Sequence, residues 1–169
     1  TISGATGTVL NLSSLYSADD GNHYRLTASA AGFSGVQSTG AELHVINISI
    51  SEQPSGLTVE RGSGSFSVAA NALKGSGTAS PYPLYYVWQR STNSGVSFFN
   101  LGQAGTGLAT VNLTNLTYAS NDQDQYRVKV RLQGFGDDVE EISTGSSTSG
   151  ALLTVRELTF SAQPDDHTI

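Results

Sequence analysis

The chain is 169 residues long, 37% hydrophobic and 13% charged, with a formal net charge of −6 at pH 7. Its eight basic residues are scattered, which excludes the clustered Lys and Arg of a nucleic-acid surface, and no run of about 20 apolar residues is present to insert into a membrane. It contains no Cys, so disulfides and cysteine-ligated metals are excluded; that fits folding in a reducing cytoplasm and is compatible with later export.

The elements are clearest between residues 48 and 157. Ile48 and Ile50 alternate with polar residues, predicting a strand that Glu52-Gln53-Pro54-Ser55-Gly56 breaks. Leu57–Glu60 resumes it. Residues 64–70 alternate again, with Phe66, Val68 and Ala70 on one face. A Gly- and Ser-rich loop follows, through Pro81 and Pro83. Residues 84–90 then place Leu84, Tyr86 and Trp88 on one face and Tyr85, Val87 and Gln89 on the other. Asn93-Ser94-Gly95 reads as a turn, and strands are predicted over 96–101, 108–113, 125–132 and 151–156. No stretch sustains helical spacing. Many short strands separated by turns indicate an antiparallel β-sandwich.

The chain also repeats itself. Residues 9–33 (VLNLSSLYSADDGNHYRLTASAAGF) match residues 110–135 (TVNLTNLTYASNDQDQYRVKVRLQGF). Asn11 pairs with Asn112, Leu12 with Leu113, Leu15 with Leu116, and Tyr24-Arg25 with Tyr126-Arg127. Leu43-x-Val45 matches Leu153-x-Val155, and Gln53-Pro54 matches Gln163-Pro164. The offset is 101 residues at Leu12 and Leu113, 102 at the tyrosines and 110 at the Gln-Pro pairs. The second copy therefore carries a longer loop between Phe135 and Ser149. A period of this size is a domain repeat. Residues 1–47 are expected to be the C-terminal part of one repeat, 48–157 a complete domain, and 158–169 the first strand of a following repeat. The joints at Val45-Ile46-Asn47-Ile48 and Val155-Arg156-Glu157-Leu158 hold no Gly or Pro, so limited bending is expected there. If nothing else covers residues 1–47, their inner face (Leu12, Leu15, Tyr24, Leu26) is expected to be exposed, which implies upstream residues or a partner subunit.

These residues resemble an immunoglobulin-like domain over nearly the whole chain. Trp88 stands where that family places the core tryptophan of the third strand. Asp122-Gln123-Asp124-Gln125-Tyr126-Arg127-Val128 is similar to the family's D-x-x-x-Y-x-C signature, with Val128 in place of Cys. Asp20 to Leu26 repeats it, with Leu26 in that place, and Ala70 falls near the first Cys position. The resemblance implies a structural core containing Trp88, Tyr126, Tyr24, Ala70 and Val128, in which packing of Ala70 against Val128 replaces the bridge at a loss of about 2–5 kcal/mol. It also implies that the tyrosine rings are buried with their hydroxyls returned to the preceding turn. Asp20 and Asp122, four residues before the tyrosines, are expected to cap that turn through backbone N–H groups. The missing cysteines resemble the Cys-free tandem repeats of bacteriophage virion proteins and bacterial surface proteins. The expected fold is all-β, as tandem immunoglobulin-like antiparallel β-sandwiches, one complete and two partial.

No catalytic constellation emerges. His23, His44 and His167 are dispersed, no G-x-S-x-G or H-E-x-x-H occurs, and Gly62-Ser63-Gly64 and Gly75-Ser76-Gly77 lack the helix and Lys of a phosphate loop. A non-enzymatic chain without cofactor or metal is expected. The acidic groups Asp19-Asp20, Asp122 with Asp124, Asp137-Asp138 with Glu140-Glu141, and Asp165-Asp166 lack the spacing of a calcium loop and read as solvated loop charge. The inserted loop carrying Asp137, Asp138, Glu140 and Glu141 is the candidate recognition tip, because sandwich loops carry binding more often than the sheets do. Among Tyr82, Tyr85, Tyr86, Phe98 and Phe99, Tyr85 and one of the two phenylalanines are expected at the surface; a sugar platform is a weaker reading than ordinary surface aromatics. Four N-x-S/T triplets, at Asn11, Asn47, Asn112 and Asn115, matter only in a protein secreted by a eukaryote.

The resemblance implies a structural or adhesion module of a bacteriophage virion: a tail fibre, appendage or capsid decoration that acts as a stiff spacer and weak multivalent binding element. Its partners would be other copies or subunits of a larger assembly, and host-surface glycans or proteins. The alternative is a repeat segment of a bacterial cell-surface or secreted adhesin, and a weaker third is a spacer appended to an enzyme.

Overall fold

A computed structural model describes residues 2–134, 140–143 and 150–159, with the backbone alone at 140 and 141. Two-residue alternation gives a chain whose regular structure is almost wholly strands. In chain order these are β1 His23–Tyr24, β2 Thr27–Ala28, β3 Val36–Gln37, β4 Ala41–Glu42, β5 Ile46–Glu52, β6 Leu57–Glu60 and β7 Gly62–Ser67. There follow β8 Ala69–Lys74, β9 Leu84–Ser91, β10 Phe99–Thr106, β11 Thr110–Leu116, β12 Gln125–Leu132, β13 Glu140–Ile142 and β14 Ala151–Arg156. One helical turn, α1 Tyr118–Asn121, precedes β12, and a 3-10 turn, Ser17–Asp19, precedes β1. Strand β5 pairs with β8.

Two compact units form: Thr1–Asn47 with Ala72–Pro81, and Ile48–Asn71 with Tyr82–Ile169. The second unit holds a sheet in the order β10-β9-β12-β14-β6, with β13 also on β12, and a separate β11–β7 pair. Strands β9 and β12 run antiparallel from Gln125↔Ser91 to Leu132↔Leu84. Strands β14 and β6 run parallel, Leu153↔Leu57 to Arg156↔Glu60. Every second residue of β12 (Tyr126, Val128, Val130, Leu132) is buried and the residues between are half-buried. Each such side chain contributes about 1.5–3 kcal/mol on leaving water. The buried faces of the two sheets meet at Phe66 of β7 and Tyr126 of β12, whose rings stack at 4.9 Å. Trp88 is fully buried and donates its indole N–H to the Leu108 carbonyl at 2.9 Å, which satisfies its one polar atom.

In the first unit β1 pairs with β4 and β2 with β3, both antiparallel. Leu12, Leu15 and Leu26 are exposed, as the sequence leads one to expect, while Tyr24 is half-buried.

Several boundaries differ from the sequence reading. Residues 72–81 pack with the first unit although they lie inside the repeat that starts at 48. The predicted strand over 64–70 is two strands, interrupted at Val68, whose N–H goes to the Ala109 carbonyl. Beyond that break Ala70 is half-buried rather than sealed in the core. Strand β10 starts later and runs further than 96–101, because its bulge between Asn100 and Ala104 accommodates Gly102 at φ 74°. The inserted segment contributes β13, where only charged loop was expected. Asp137, Asp138 and residues 160–169 lie outside the described residues.

Candidate functional site

The repeated D-x-x-x-Y segment builds the same hydrogen-bonded turn twice. In the second copy, α1 ends at Asp122, whose N–H bonds to the Tyr118 carbonyl at 3.3 Å. The chain then reverses through Gln123 at φ 66°. The Gln123 N–H donates to the Leu153 carbonyl at 2.9 Å, and the Leu153 N–H returns to the Asp124 carbonyl at 2.8 Å. Asp122 Oδ1 receives the Val155 N–H at 2.8 Å. In the first copy, the Asp20 N–H bonds to the Ser17 carbonyl at 3.3 Å and Gly21 takes the reversing position at φ 83°. The Gly21 N–H donates to Leu43 at 2.9 Å, the Leu43 N–H to Asn22 at 2.8 Å, and the Val45 N–H to Asp20 Oδ1 at 3.0 Å. Upstream, Ser14 and Asn115 share a left-handed backbone at φ 55° and 56°. The aspartates therefore accept backbone N–H groups as expected, but from Val45, just before β5, and from Val155 of β14, more than 20 residues downstream in each copy.

The two aspartates differ at their second oxygen. Asp20 Oδ2 accepts the Ser76 N–H at 3.1 Å, and the neighbouring Gly75 N–H donates to the Val45 carbonyl at 2.8 Å. The hairpin that supplies both closes on itself through the Lys74 N–H to Thr78 carbonyl bond at 2.8 Å. Burial pushes the Asp20 carboxyl up, and the N–H groups of Val45 and Ser76, with Lys74 nearby, outweigh that and hold it below the usual carboxylate range. Among the described residues Asp122 Oδ2 meets only the Gln123 side-chain amide, at 3.4 Å.

Beside the second turn, Arg90 Nη2 lies 2.6 Å from Asp124 Oδ2 and also donates to the Ser120 carbonyl at 3.0 Å. Burial raises the Asp124 carboxyl above its ordinary value, with Arg90 pulling it back. Burial likewise pushes the Tyr126 hydroxyl up to about 12, Arg90 opposing and Asp124 adding to the shift. No hydrogen bond from that hydroxyl to the preceding turn is present among the described residues; the ring is held by Phe66 instead.

The outward row of β12 makes a polar sheet face. Arg127 stacks on Phe98 at 4.0 Å and donates to Gln89 Oε1 at 2.8 Å, while Gln89 Nε2 donates to Asn100 at 2.8 Å. Arg131 lies over Tyr85 at 4.8 Å. Gln89 is thus buried from the face opposite Trp88, which alternation alone does not reveal. Phe99 is the exposed phenylalanine, and Phe98 and Tyr85 are half-buried beneath the arginines.

Of the residues singled out from sequence, Trp88, Tyr126 and Val128 are fully or almost fully buried together in the second unit, Tyr24 is half-buried in the first, and Ala70 is half-buried in β8. Glu140 and Glu141 lie in β13 opposite Arg131 and Val130. Among the described residues no group of three or more His, Asp or Glu is placed to hold a metal ion. Sequence reasoning places Gly75-Ser76-Gly77 in a Gly- and Ser-rich loop and sets it aside as a phosphate loop, but the run carries no sign of its partner. No protein-family model matches the chain, and no curated protein matches it either.

Proposed function

We propose that the chain is a non-enzymatic structural and adhesion segment of a bacteriophage virion, made of tandem immunoglobulin-like modules that act as stiff spacers carrying weak, multiply copied binding elements. The observation that carries this reading is the duplicated turn, in which Asp20 and Asp122 receive the N–H groups of Val45 and Val155 in matching positions. One Cys-free module and the closing part of another in a single chain are the parts of a repeating array. The strand order β10-β9-β12-β14 with buried Trp88 on β9 facing a second sheet supports the immunoglobulin-like part of the reading. Polar chemistry is spent on holding turns and sheet faces together, which suits a spacer. Binding in many weak copies then supplies attachment without a tight single site.

Density-gradient fractionation of the native source tests this, with the polypeptide detected by mass spectrometry. Co-sedimentation with a major capsid protein is expected. Recovery in a cell-envelope fraction free of capsid protein overturns the virion assignment in favour of a bacterial surface adhesin.

A further inference from the structure

Asp20 is a two-sided acceptor. One oxygen holds Val45 of its own repeat and the other holds Ser76, a residue of the next repeat in sequence. The Gly75 N–H completes the clasp at the Val45 carbonyl. Gly75 is required by space: a Cβ there would lie 2.3 Å from the Ser17 carbonyl oxygen and 2.8 Å from the Asp20 Cβ. The seat for the hairpin thus consists of the 3-10 turn, the aspartate and Val45, just before β5.

The second copy carries a counterpart of each of those parts, with a four-residue α-helical turn in place of the 3-10 turn. It has a helical turn, α1; an aspartate whose Oδ1 holds Val155; and a second oxygen that, among the described residues, meets only a long contact from Gln123. Residues 158–164 repeat the opening of the module, ending in Gln163-Pro164 as the earlier one ends in Gln53-Pro54. The Lys74–Glu42 ion pair at 3.8 Å is not part of the repeated device, because the position matching Glu42 is Leu152.

We infer that Asp122, with the turn at Tyr118–Asn121 and the end of β14, is a docking seat for the glycine hairpin of a following copy of this module. The occupant is a tight turn with glycine at the position of Gly75 and a free backbone N–H at the position of Ser76. Each repeat then locks its successor through one bond to a carboxylate and one bond between backbones, and side-chain identity at the joint matters little apart from the aspartate and the glycine. This inference rests on the repeat architecture and is independent of the virion assignment.

The test is the full chain with a second copy of residues 48–157 joined after Glu157 in place of 158–169, read by amide hydrogen exchange. The amides at positions 75 and 76 report docking, while that at 74 reports only whether the hairpin is closed on itself. In the unaltered extended chain, the appended positions 75 and 76 are expected to exchange as slowly as those of the first hairpin. Asp122→Ala is expected to speed exchange at the appended position 76 about ten- to hundredfold and to leave the first hairpin unchanged. Gly75→Val in the appended copy alone is expected to do the same without touching Asp122, which separates docking from any loss of the Asp122–Val155 bond. Fast exchange at the appended positions 75 and 76, in a copy whose position 128 is protected, overturns the inference while leaving the repeats intact. An appended copy with no protected core overturns the repeat architecture itself.

Discussion

After the shared turn, the two copies meet different surroundings. Leu26 is 49% exposed and Leu15 40%, whereas their counterparts Val128 and Leu116 are 0% and 3% exposed. The three bonds that tie the turn to its downstream partner nevertheless match between the copies, through Leu43 and Val45 in the first and Leu153 and Val155 in the second. A backbone reversal pinned by one carboxylate is specified by the residues that form it. Burial is specified in part elsewhere: Phe66 and Trp88, which seal the second copy, lie upstream of the duplicated segment. The duplicated segment thus carries its own geometry but borrows part of its core.

The sharpest way to break that comparison is to truncate the paired tyrosines. Tyr126→Ala removes a ring stacked on Phe66 and is expected to cost about 3–5 kcal/mol in denaturant unfolding followed by emission of Trp88, the chain's one tryptophan. Tyr24→Ala, at a half-buried position, is expected to cost about 1 kcal/mol or less, read by exchange of the Leu43 and Val45 amides. Comparable losses in the two copies would show that the first has a sealed core of its own.

The next largest effect belongs to a charge only one copy possesses. Asp124 is nearly buried against Arg90, and its counterpart is the neutral Asn22. Arg90→Ala is expected to cost roughly 3 kcal/mol at neutral pH, the low end for breaking a buried pair because Arg90 is itself partly exposed. The Asp124 carboxyl already sits above its ordinary value through burial, so its folded form holds the proton more tightly than the unfolded chain does. Stability therefore falls as pH rises through that interval, and removing Arg90 widens it. The loss should shrink steadily as pH is lowered toward about 4. A loss that is the same at both ends of that range would mean that Arg90 acts by packing, not by charge.

How much of this was legible in the sequence follows the same division between local and borrowed structure. Strands β6 and β12 are readable to the residue because apolar and polar positions alternate without interruption, and β14 because an apolar run from Ala151 passes into alternation at Leu153. Trp88 and Tyr86 were placed on the buried face for the same reason. Strand β10 was misread because Gly102, Gly105 and Gly107 look like loop, whereas three of its residues pair with Tyr85, Tyr86 and Val87 beyond a bulge. The aspartates were legible as turn caps, but their partners Val45 and Val155 lie 25 and 33 residues away and no local pattern names them. The seating of Gly75 against Ser17 was illegible for the same reason: it depends on a space that exists only once both segments are folded.

A smaller effect compares the two aspartates. Asp122→Ala strips the acceptor from Val155 and is expected to cost about 1.5–3 kcal/mol in the second unit. Asp20→Ala strips acceptors from both Val45 and Ser76, so exchange should quicken at two amides about tenfold or more. The pH dependence at Asp20 has the opposite sign to that at Asp124. Its carboxyl is held below the usual range in the folded chain, so its contribution is complete above the unfolded value near 4 and is lost as pH falls through the lower folded value. Exchange at Ser76, corrected for its intrinsic pH dependence, should therefore quicken in acid. No change on acidification would mean that the hairpin is held by Gly75 and Val45 alone.

The smallest effect lies at the reversing position itself, where the copies differ by one residue. Gly21 and Gln123 both adopt positive φ, 83° and 66°. Glycine takes that conformation without steric penalty, whereas a residue with a Cβ is strained there by about 1–2 kcal/mol. Gln123→Gly relieves that strain but frees the unfolded chain, which returns roughly 0.5–1 kcal/mol. The net expectation is a gain of up to about 1 kcal/mol in the second unit. Gly21→Ala runs the exchange backwards in the first and should lose about the same amount, since open space around Gly21 leaves backbone conformation as the main term. If Gln123→Gly is instead destabilising, the Gln123 side chain, whose amide stands 3.4 Å from both Asp122 oxygens, contributes more to the turn than its backbone strain takes away.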